Sequence, residues 1–466
     1  MTPELAAVMK ALTQPKSIAV VGASRDPRSV GHGVLKGLVH GCVFESGSCI
    51  PYNGIVYAVN PKAKDVLGKK CFGSLKDIPG SVESIVVAIP AKFVPQIMEE
   101  AAIKKVKVAI IVSAGFAELG VEGKKLQEEV VKKAKAGGIR VLGPNVLGLL
   151  VPPNNFNASF ALTTPEPGNI AFISQSGALA DSVVDWALQA RYGFSFLASL
   201  GNTADLDESD FLEYGLDDRK TKAIAMYLEG VKNGKKFLKT AKKVSQTKPI
   251  IVLKGGKTER GGQAIASHTG SLAGSYAVYQ AAFRQAGVFS AESVEDLFDL
   301  AKALASQPRT QGKNVAIITN GGGVGVLTAD YCAEAGLNVV PLKQKTLEKL
   351  EKSGKMHAAY SHNNPLDLVG DALPDRYEAA VNTLLSEPYI HSMIVVQTLQ
   401  TMTDSQKDAE VVVKAHQTYP NKPVVCVFMG GKYSAPGVAT LRKHDIPDYN
   451  DPLKAVKVLK VLSSII

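Results

Sequence analysis

The 466-residue sequence is poor in the features that mark membrane, secreted or nucleic-acid-binding chains. No apolar run approaches the ~18 residues needed to span a bilayer. The N-terminus, MTPELAAVMKALTQPKS, lacks the basic-then-apolar layout of a secretory leader, so a cytoplasmic location is expected. Five cysteines (Cys42, Cys49, Cys71, Cys332, Cys426) are few, odd in number and never in a CxxC pair. That argues against a disulfide framework and against a zinc site, and no metal is expected on this chain. Aromatic residues make up 6% of the chain, and no basic block is interleaved with them. The net charge of +10 therefore reads as a lysine-rich solvated surface, with neither nucleic acid nor membrane as a partner.

What is present is an ordinary globular balance, 45% hydrophobic and 21% charged, and a length for about three domains at ~150 residues each. Short β-branched runs (KSIAVVGAS, SIVVAIPA, VKVAIIVSAG, GIRVLGPN) alternate with helical patterns. Continuous apolar strands ending in Gly, Pro, Ser or Asn are what a parallel sheet covered on both faces requires, so the class is α/β. The expected domains are 1–148, 149–309 and 310–466. VPPNNFNASFALTTPEPG reads as the linker into the second, and Ser306–Asn314 as the next junction.

The two later domains resemble each other. GNIAFISQSGALADSVVDWA matches KNVAIITNGGGVGVLTADYC, and KPIIVLKGGK matches KPVVCVFMGGK. RQAGVFSAESVEDLFDLAKAL matches RKHDIPDYNDPLKAVKVLKVL. Lys257 and Arg284 are 27 residues apart, whereas their counterparts Lys432 and Arg442 are 10 apart. The first copy thus carries 17 extra residues, GGKTERGGQAIASHTGSLAG lies across them, and one histidine, His268, sits inside. Periods this long indicate duplicated domains, and an insertion in one copy alone suggests added chemistry. The run reads as a glycine-rich loop able to move, with Gly255, Gly256, Gly261, Gly262, Gly270 and Gly274 flanking the imidazole.

In the first domain, IAVVGASRDPRSVGHGVLKGL places a turn after a strand and opens a helix, aiming backbone N–H groups at a phosphate. It is not G-x-G-x-x-G: Gly22 is followed by Ala23, and Gly31 comes after a loop carrying Arg25 and Arg28. The second strand ends in Asn60-Pro61-Lys62, where an NAD site wants an acid for the ribose. Lys62 and the two arginines suit a ligand with extra phosphate, and coenzyme A and NADP both qualify. GGKT lacks the first glycine of a P-loop, since Ile251 stands in its place. SQSGA lacks both glycines of a nucleophile elbow. Ser174, Gln175, Ser176 and Gly177 read instead as an anion cradle at a helix start, with Asn320, Gly321, Gly322 and Gly323 as its counterpart. Two such helix N-termini converging on one point would hold a phosphoryl group.

Together these motifs resemble the α subunit of the NDP-forming acyl-CoA synthetases, relatives of succinyl-CoA synthetase, over essentially the whole chain. VGAS, VNPK, AIPA, SAGF and GPNVLG match a Rossmann-like CoA-binding domain; ISQSGAL, YLEG and ASHTGSLAG match a flavodoxin-like domain; NGGGVGV and NPLDLVGDA match a second one. SHTGSLAG within GGKTxxGxxAxxSHTG is the most specific of these. The resemblance implies CoA contacts from Gly22, Ala23, Ser24, Arg25, Arg28, Gly31, Asn60, Pro61, Lys62, Ile89, Pro90, Ser113, Ala114, Gly115 and Asn145. It implies that His268 is phosphorylated during turnover and that Glu229 orients its ring. Acyl-CoA and phosphate would give an acyl phosphate, which phosphorylates His268, and ADP would take the phosphoryl group. The two cradles would hold that group in transit, and a mobile loop would carry it to a distant nucleotide site. The ATP-grasp domain of the family has no counterpart here. An ATP-grasp β subunit, carrying magnesium and ADP or ATP in an α2β2 heterotetramer, is the expected partner. An NADP-dependent oxidoreductase leaves the duplication and His268 without a role. A non-catalytic CoA-binding module leaves the glycine-flanked histidine unexplained.

Overall fold

The computed structural model describes residues 1–44, 49–190, 192–269 and 274–464, with the side chains of 267–269 outside that description. Two compact bodies divide the chain, Met1–Leu297 and Phe298–Ile466, and the division falls inside the helix Val294–Ser306.

The first body holds two sheets. The first contains β1 (Ser17–Val21), β2 (Ile55–Val59), β3 (Asp65–Val66), β4 (Lys69–Phe72), β5 (Ser84–Val87), β6 (Val108–Ile111) and β7 (Arg140–Leu142). Their order is β3-β4-β2-β1-β5-β6-β7, parallel except for the β3–β4 hairpin. Every residue of β1, β5 and β6 is buried, as the unbroken apolar runs require. Each such Val or Ile contributes about 1.5–3 kcal/mol.

The second sheet contains β8 (Gly148–Val151), β9 (Phe156–Ser159), β10 (Pro167–Ser174), β11 (Phe194–Ser199), β12 (Ala223–Leu228), β13 (Ile250–Lys254) and β14 (Phe289–Ala291), in the order β14-β13-β12-β10-β11-β8-β9. The segment expected as a linker is not one. Its Val151 is the last residue of β8 and its Phe156–Ser159 is β9, which pairs antiparallel with β8, itself antiparallel to β11. Phe156 and Ala158 are fully buried there, and Asn157 bonds Ser159. A polar, proline-rich stretch thus hides a strand whose apolar residues are too few to show a pattern.

The second body contains β15 (Asn314–Thr319), β16 (Asn338–Val339), β17 (Leu366–Asp367), β18 (Ser392–Gln397) and β19 (Val424–Phe428), in the order β16-β15-β18-β19, with β17 pairing β15. A parallel bridge joins Cys426 to Asp448. Aligning β10, β11, β12, β13 and β14 with β15, β16, β18, β19 and that bridge gives the order 2-1-3-4-5 in both bodies, the flavodoxin arrangement. The fold is α/β, a Rossmann-like domain followed by two duplicated flavodoxin-like ones.

Two expectations are corrected. Cys42 and Cys49 form a disulfide, closing the stretch that follows the helix Val30–His40. A seven-residue separation outside any CxxC motif left no signal for it. The glycine-rich stretch is not a loop through His268, since Glu259–Thr269 is a helix with His268 in its last turn. Thr258 Oγ1 accepts from Gly261 N (3.1 Å), Glu259 occupies the first turn, and Ile265 is buried. A capped start and the run Gln263-Ala264-Ile265-Ala266 outweigh the cost of Gly261 and Gly262. Gly270 lies outside the described residues.

Candidate functional site

All the residues implicated in CoA contact gather at the carboxyl ends of β1, β2, β5, β6 and β7, where ligands bind in open α/β sheets. Gly22 leaves β1, and the helix Val30–His40 opens behind Ser29. A Cβ on Gly31 would overlap the carbonyl of Gly22, so only glycine lets helix and turn approach this closely. Asn60 Nδ2 donates to Ala23 O (2.6 Å) while its Oδ1 accepts from Lys62 N (2.7 Å), joining the turns after β1 and β2 at Pro61. His32 is buried with Nδ1 at 2.8 Å from Ser24 O. Arg25 pairs with Asp65 at 3.1 Å and Arg28 with Asp26 at 3.1 Å, both on the surface. The Arg28 guanidinium holds the Asp26 carboxyl below the usual range. Lys62 is exposed, and of the three expected cations it alone has no ion pair among the described residues. Ser113 Oγ accepts from Ile89 N (3.1 Å) and donates to Ile89 O (2.6 Å), clamping the loops that carry Pro90 and Ala114. Asn145 N donates to Ser113 O (3.0 Å).

One acid that the sequence did not single out organises the next loop. Glu118 accepts from the N–H of Gly115 (2.6 Å) and Phe116 (3.1 Å), and from Asn202 Nδ2 (2.6 Å). Burial pushes the Glu118 carboxyl up, but these hydrogen bonds outweigh it and its pKa is lowered. Asn202 also donates to Gln127 Oε1 (3.0 Å), and its own N–H reaches Pro144 O (2.9 Å). Gly201, at φ +53°, lies so close to the carbonyls of Pro144 and Asn145 that any side chain would collide with them. The loop after β11 is thereby tied to the first sheet.

A cleft of about 710 Å³ opens beside this tie, lined by Ala117, Lys124, Asn202, Gln175, Glu229 and Lys232 among others. Glu229 directly follows β12 and is buried. Its N–H donates to Gln175 Oε1 (2.6 Å), as does Gly230 N (3.0 Å), and Gln175 Nε2 returns a bond to Gly230 O (2.7 Å). Tyr227, two residues earlier, has its phenol pushed up to about 12 by burial, with the charge of Glu229 and a hydrogen bond to it adding. Behind the loop, the buried Lys254 ammonium donates to Glu229 O (2.9 Å) and stands 4.5 Å from the centre of the Tyr279 ring. Burial lowers its pKa against the pull of Glu229. The helix Glu259–Thr269, with His268, packs against the turn Ala117–Leu119. One chain segment thus meets the CoA-type domain next to the Glu229 cleft.

The expected cradles are less open than their sequences suggest. Ser174 is buried, with Oγ donating to Ser176 O (2.8 Å) and accepting from Ser176 N (3.1 Å), and the helix begins at Gly177. Gln175 is consumed by the staple just described. In the second body Asn320 repeats it: Oδ1 accepts from Thr398 N (2.7 Å), and Nδ2 donates to Thr398 O (2.9 Å) and Gln400 Oε1 (2.8 Å). Gly321 N donates to Thr319 Oγ1 (3.0 Å), and the helix starts with Gly322 and Gly323. A Cβ on Gly322 would come to 2.6 Å from Asp367 Oδ2, so a carboxylate already stands at that helix start. Among the described residues no group of three His, Cys, Asp or Glu side chains could hold a metal ion. None of their helices is long and apolar enough to cross a membrane.

Comparison with known proteins finds three family matches along the chain. The CoA binding domain family matches residues 16–152, the succinyl-CoA ligase like flavodoxin domain 167–304, and the Ligase-CoA domain 315–463. The chain is 42% identical to the acetate–CoA ligase [ADP-forming] I subunit alpha of Pyrococcus furiosus, over 97% of each. It is also 42% identical to acetate–CoA ligase [ADP-forming] I of Archaeoglobus fulgidus, but spans only 63% of that protein. A solved structure of dinucleotide forming acetyl-coenzyme A synthetase 1 from Ca. Korarchaeum cryptofilum, in complex with phosphate and ADP, superimposes with a TM-score of 0.91. It shares 36% identity over 98% of this chain and 96% of that one. The chain belongs to the family of the ADP-forming acetate–CoA ligase α subunits.

Proposed function

We propose that this chain is the α subunit of an ADP-forming acyl-CoA synthetase, interconverting acyl-CoA, ADP and phosphate with acid, CoA and ATP. The observation that carries the reading is the helix Glu259–Thr269, found in one of two duplicated domains and packed on the Ala117–Leu119 turn beside the Glu229 cleft. Acyl-CoA occupies the carboxyl edge of the first sheet, with phosphate beside it. Phosphate oxygen attacks the thioester carbonyl, CoA leaves as thiolate, and an acyl phosphate results. A ring nitrogen of His268 then attacks phosphorus and the carboxylate departs. Glu229 hydrogen-bonds the other ring nitrogen, fixing the tautomer and stabilising the cationic phosphoimidazole. The Gln175 staple and Lys254 hold the backbone of Glu229 in place for this. The helix starts at Gly177 and at Gly322–Gly323 offer their backbone N–H groups to phosphate, one on each body.

The nucleotide half belongs to a partner. The matched share is 63% of the Archaeoglobus relative, and the rest of that protein is room for a nucleotide-binding portion in one chain. An ATP-grasp β subunit supplies magnesium and the ADP site, in an α2β2 assembly working in the cytoplasm, where CoA and ADP are found. The three-domain division at 1–148, 149–309 and 310–466 follows the same reading.

Incubating the chain with its partner, an acyl-CoA and labelled phosphate gives an acid-labile, base-stable label on the α chain. It is absent from His268→Ala and discharged into ATP by ADP. A label that persists in His268→Ala means that another residue is the nucleophile.

A further inference from the structure

The Glu229 cleft has two cationic side chains in its lining that the reaction just described leaves unused, Lys124 and Lys232. Lys124 stands on the helix Val121–Ala136 of the first domain, and Lys232 follows β12 in the second, so the two domains contribute one each. The Lys232 ammonium is held in place: it donates to Asn202 O (2.7 Å) and Thr203 O (3.1 Å). That uses two of its three N–H donors. Among the described residues neither lysine forms an ion pair, although Glu128 and Glu229 line the same cleft. Loss of water and the field of Lys124 lower the Lys232 pKa, opposed by the buried Glu208. Neighbouring ammonium groups on opposite domains, one anchored by carbonyls and neither neutralised, are complementary to a small doubly charged anion.

We propose that Lys124 and Lys232 form an oxyanion subsite on the wall of this cleft, which takes inorganic phosphate or the phosphate end of an acyl phosphate. The proposal rests on reading the cleft as the reaction site. It is distinct from the helix-start turns, which offer backbone N–H groups.

The test is equilibrium dialysis of the full chain against labelled inorganic phosphate, a measurement that needs no turnover. Lys124→Met weakens binding about threefold, and Lys124→Met with Lys232→Met at least about tenfold. Lys124→Glu weakens it more than Lys124→Met, and added salt weakens the wild type. Lys125→Met, at a neighbouring lysine that is 67% exposed and paired with Glu122, binds as wild type. Because Lys232 also props the Asn202–Thr203 loop, Lys232→Arg, which keeps charge and donors, retains most of the affinity. Acetyl phosphate is the competitor: displacement of labelled phosphate extends the subsite to acyl phosphates, and its absence restricts it to inorganic phosphate. Wild-type affinity in Lys124→Glu, or no phosphate binding by the wild type, overturns the subsite. A chain that binds phosphate through these lysines but never labels His268 sinks the proposed function alone. A labelled His268 with lysine-independent binding sinks the subsite alone.

Discussion

Replacing Gln175 with alanine perturbs the site without touching any group that reacts. Its amide makes three hydrogen bonds to the loop after β12, two accepted from Glu229 N and Gly230 N and one donated to Gly230 O. Each is worth about 1 kcal/mol net, and leaving the N–H groups unpaired in a half-buried setting adds to the loss, so about 2–4 kcal/mol is expected. The reporter is local: Trp186, the only tryptophan, lies on the helix Gly177–Ala190 that begins two residues after Gln175. Urea unfolding followed by its fluorescence reports this domain even where the chain as a whole does not unfold in one step. Turnover of the Gln175→Ala complex falls about 10–100-fold, the usual cost of losing a group that orients a catalytic one. Gln175→Glu sharpens the test. It keeps an acceptor for both N–H groups but sets an oxygen against Gly230 O and a negative charge near Glu229, so it is as damaging as alanine. A Gln175→Ala chain with an unchanged Trp186 transition and wild-type turnover refutes the staple's role in holding Glu229.

Three further outcomes are expected. Glu229→Gln leaves CoA binding intact and lowers phosphohistidine formation about tenfold or more, because an amide stabilises an imidazolium far less than a carboxylate does; rapid-quench labelling measures it, and unchanged labelling removes Glu229 from the mechanism. Calorimetry on the isolated chain detects CoA but neither ADP nor ATP, and tight ADP binding would end the division of labour with a partner. Glu208 is buried, which pushes its carboxyl from 4.5 up to about 7, so it folds in the protonated form. Between those values the unfolded chain ionises it and the folded chain does not, and stability falls as pH rises through the window. Glu208→Gln removes that fall and gains up to about 3 kcal/mol at pH 8, read from urea midpoints at pH 4.5 and pH 8.

The sequence by itself determined the class, the duplication and the membership of the family. Unbroken apolar strands such as SIAVV and VAII can be satisfied only inside a covered parallel sheet, and the matched segments of the two later domains share a strand order as well as residues. The glycines that allow close approach, Gly22 and Gly31, were equally legible, since no other residue fits where they stand. What tertiary structure decided is which polar groups are spent and which are free. Gln175 and Asn320 look like ligands for a phosphate in one dimension. In three they are staples, because the neighbouring strand ends leave N–H and C=O groups that something must satisfy. Glu118, Lys254 and Lys232 carry no motif and acquire their roles from partners 25 to 84 residues away, or from a cleft that exists only once two domains meet. The linker that became a hairpin, the loop that became a helix and the Cys42–Cys49 bond share one cause. Local composition sets what a segment can do, and contacts distant in sequence select which of those options it takes.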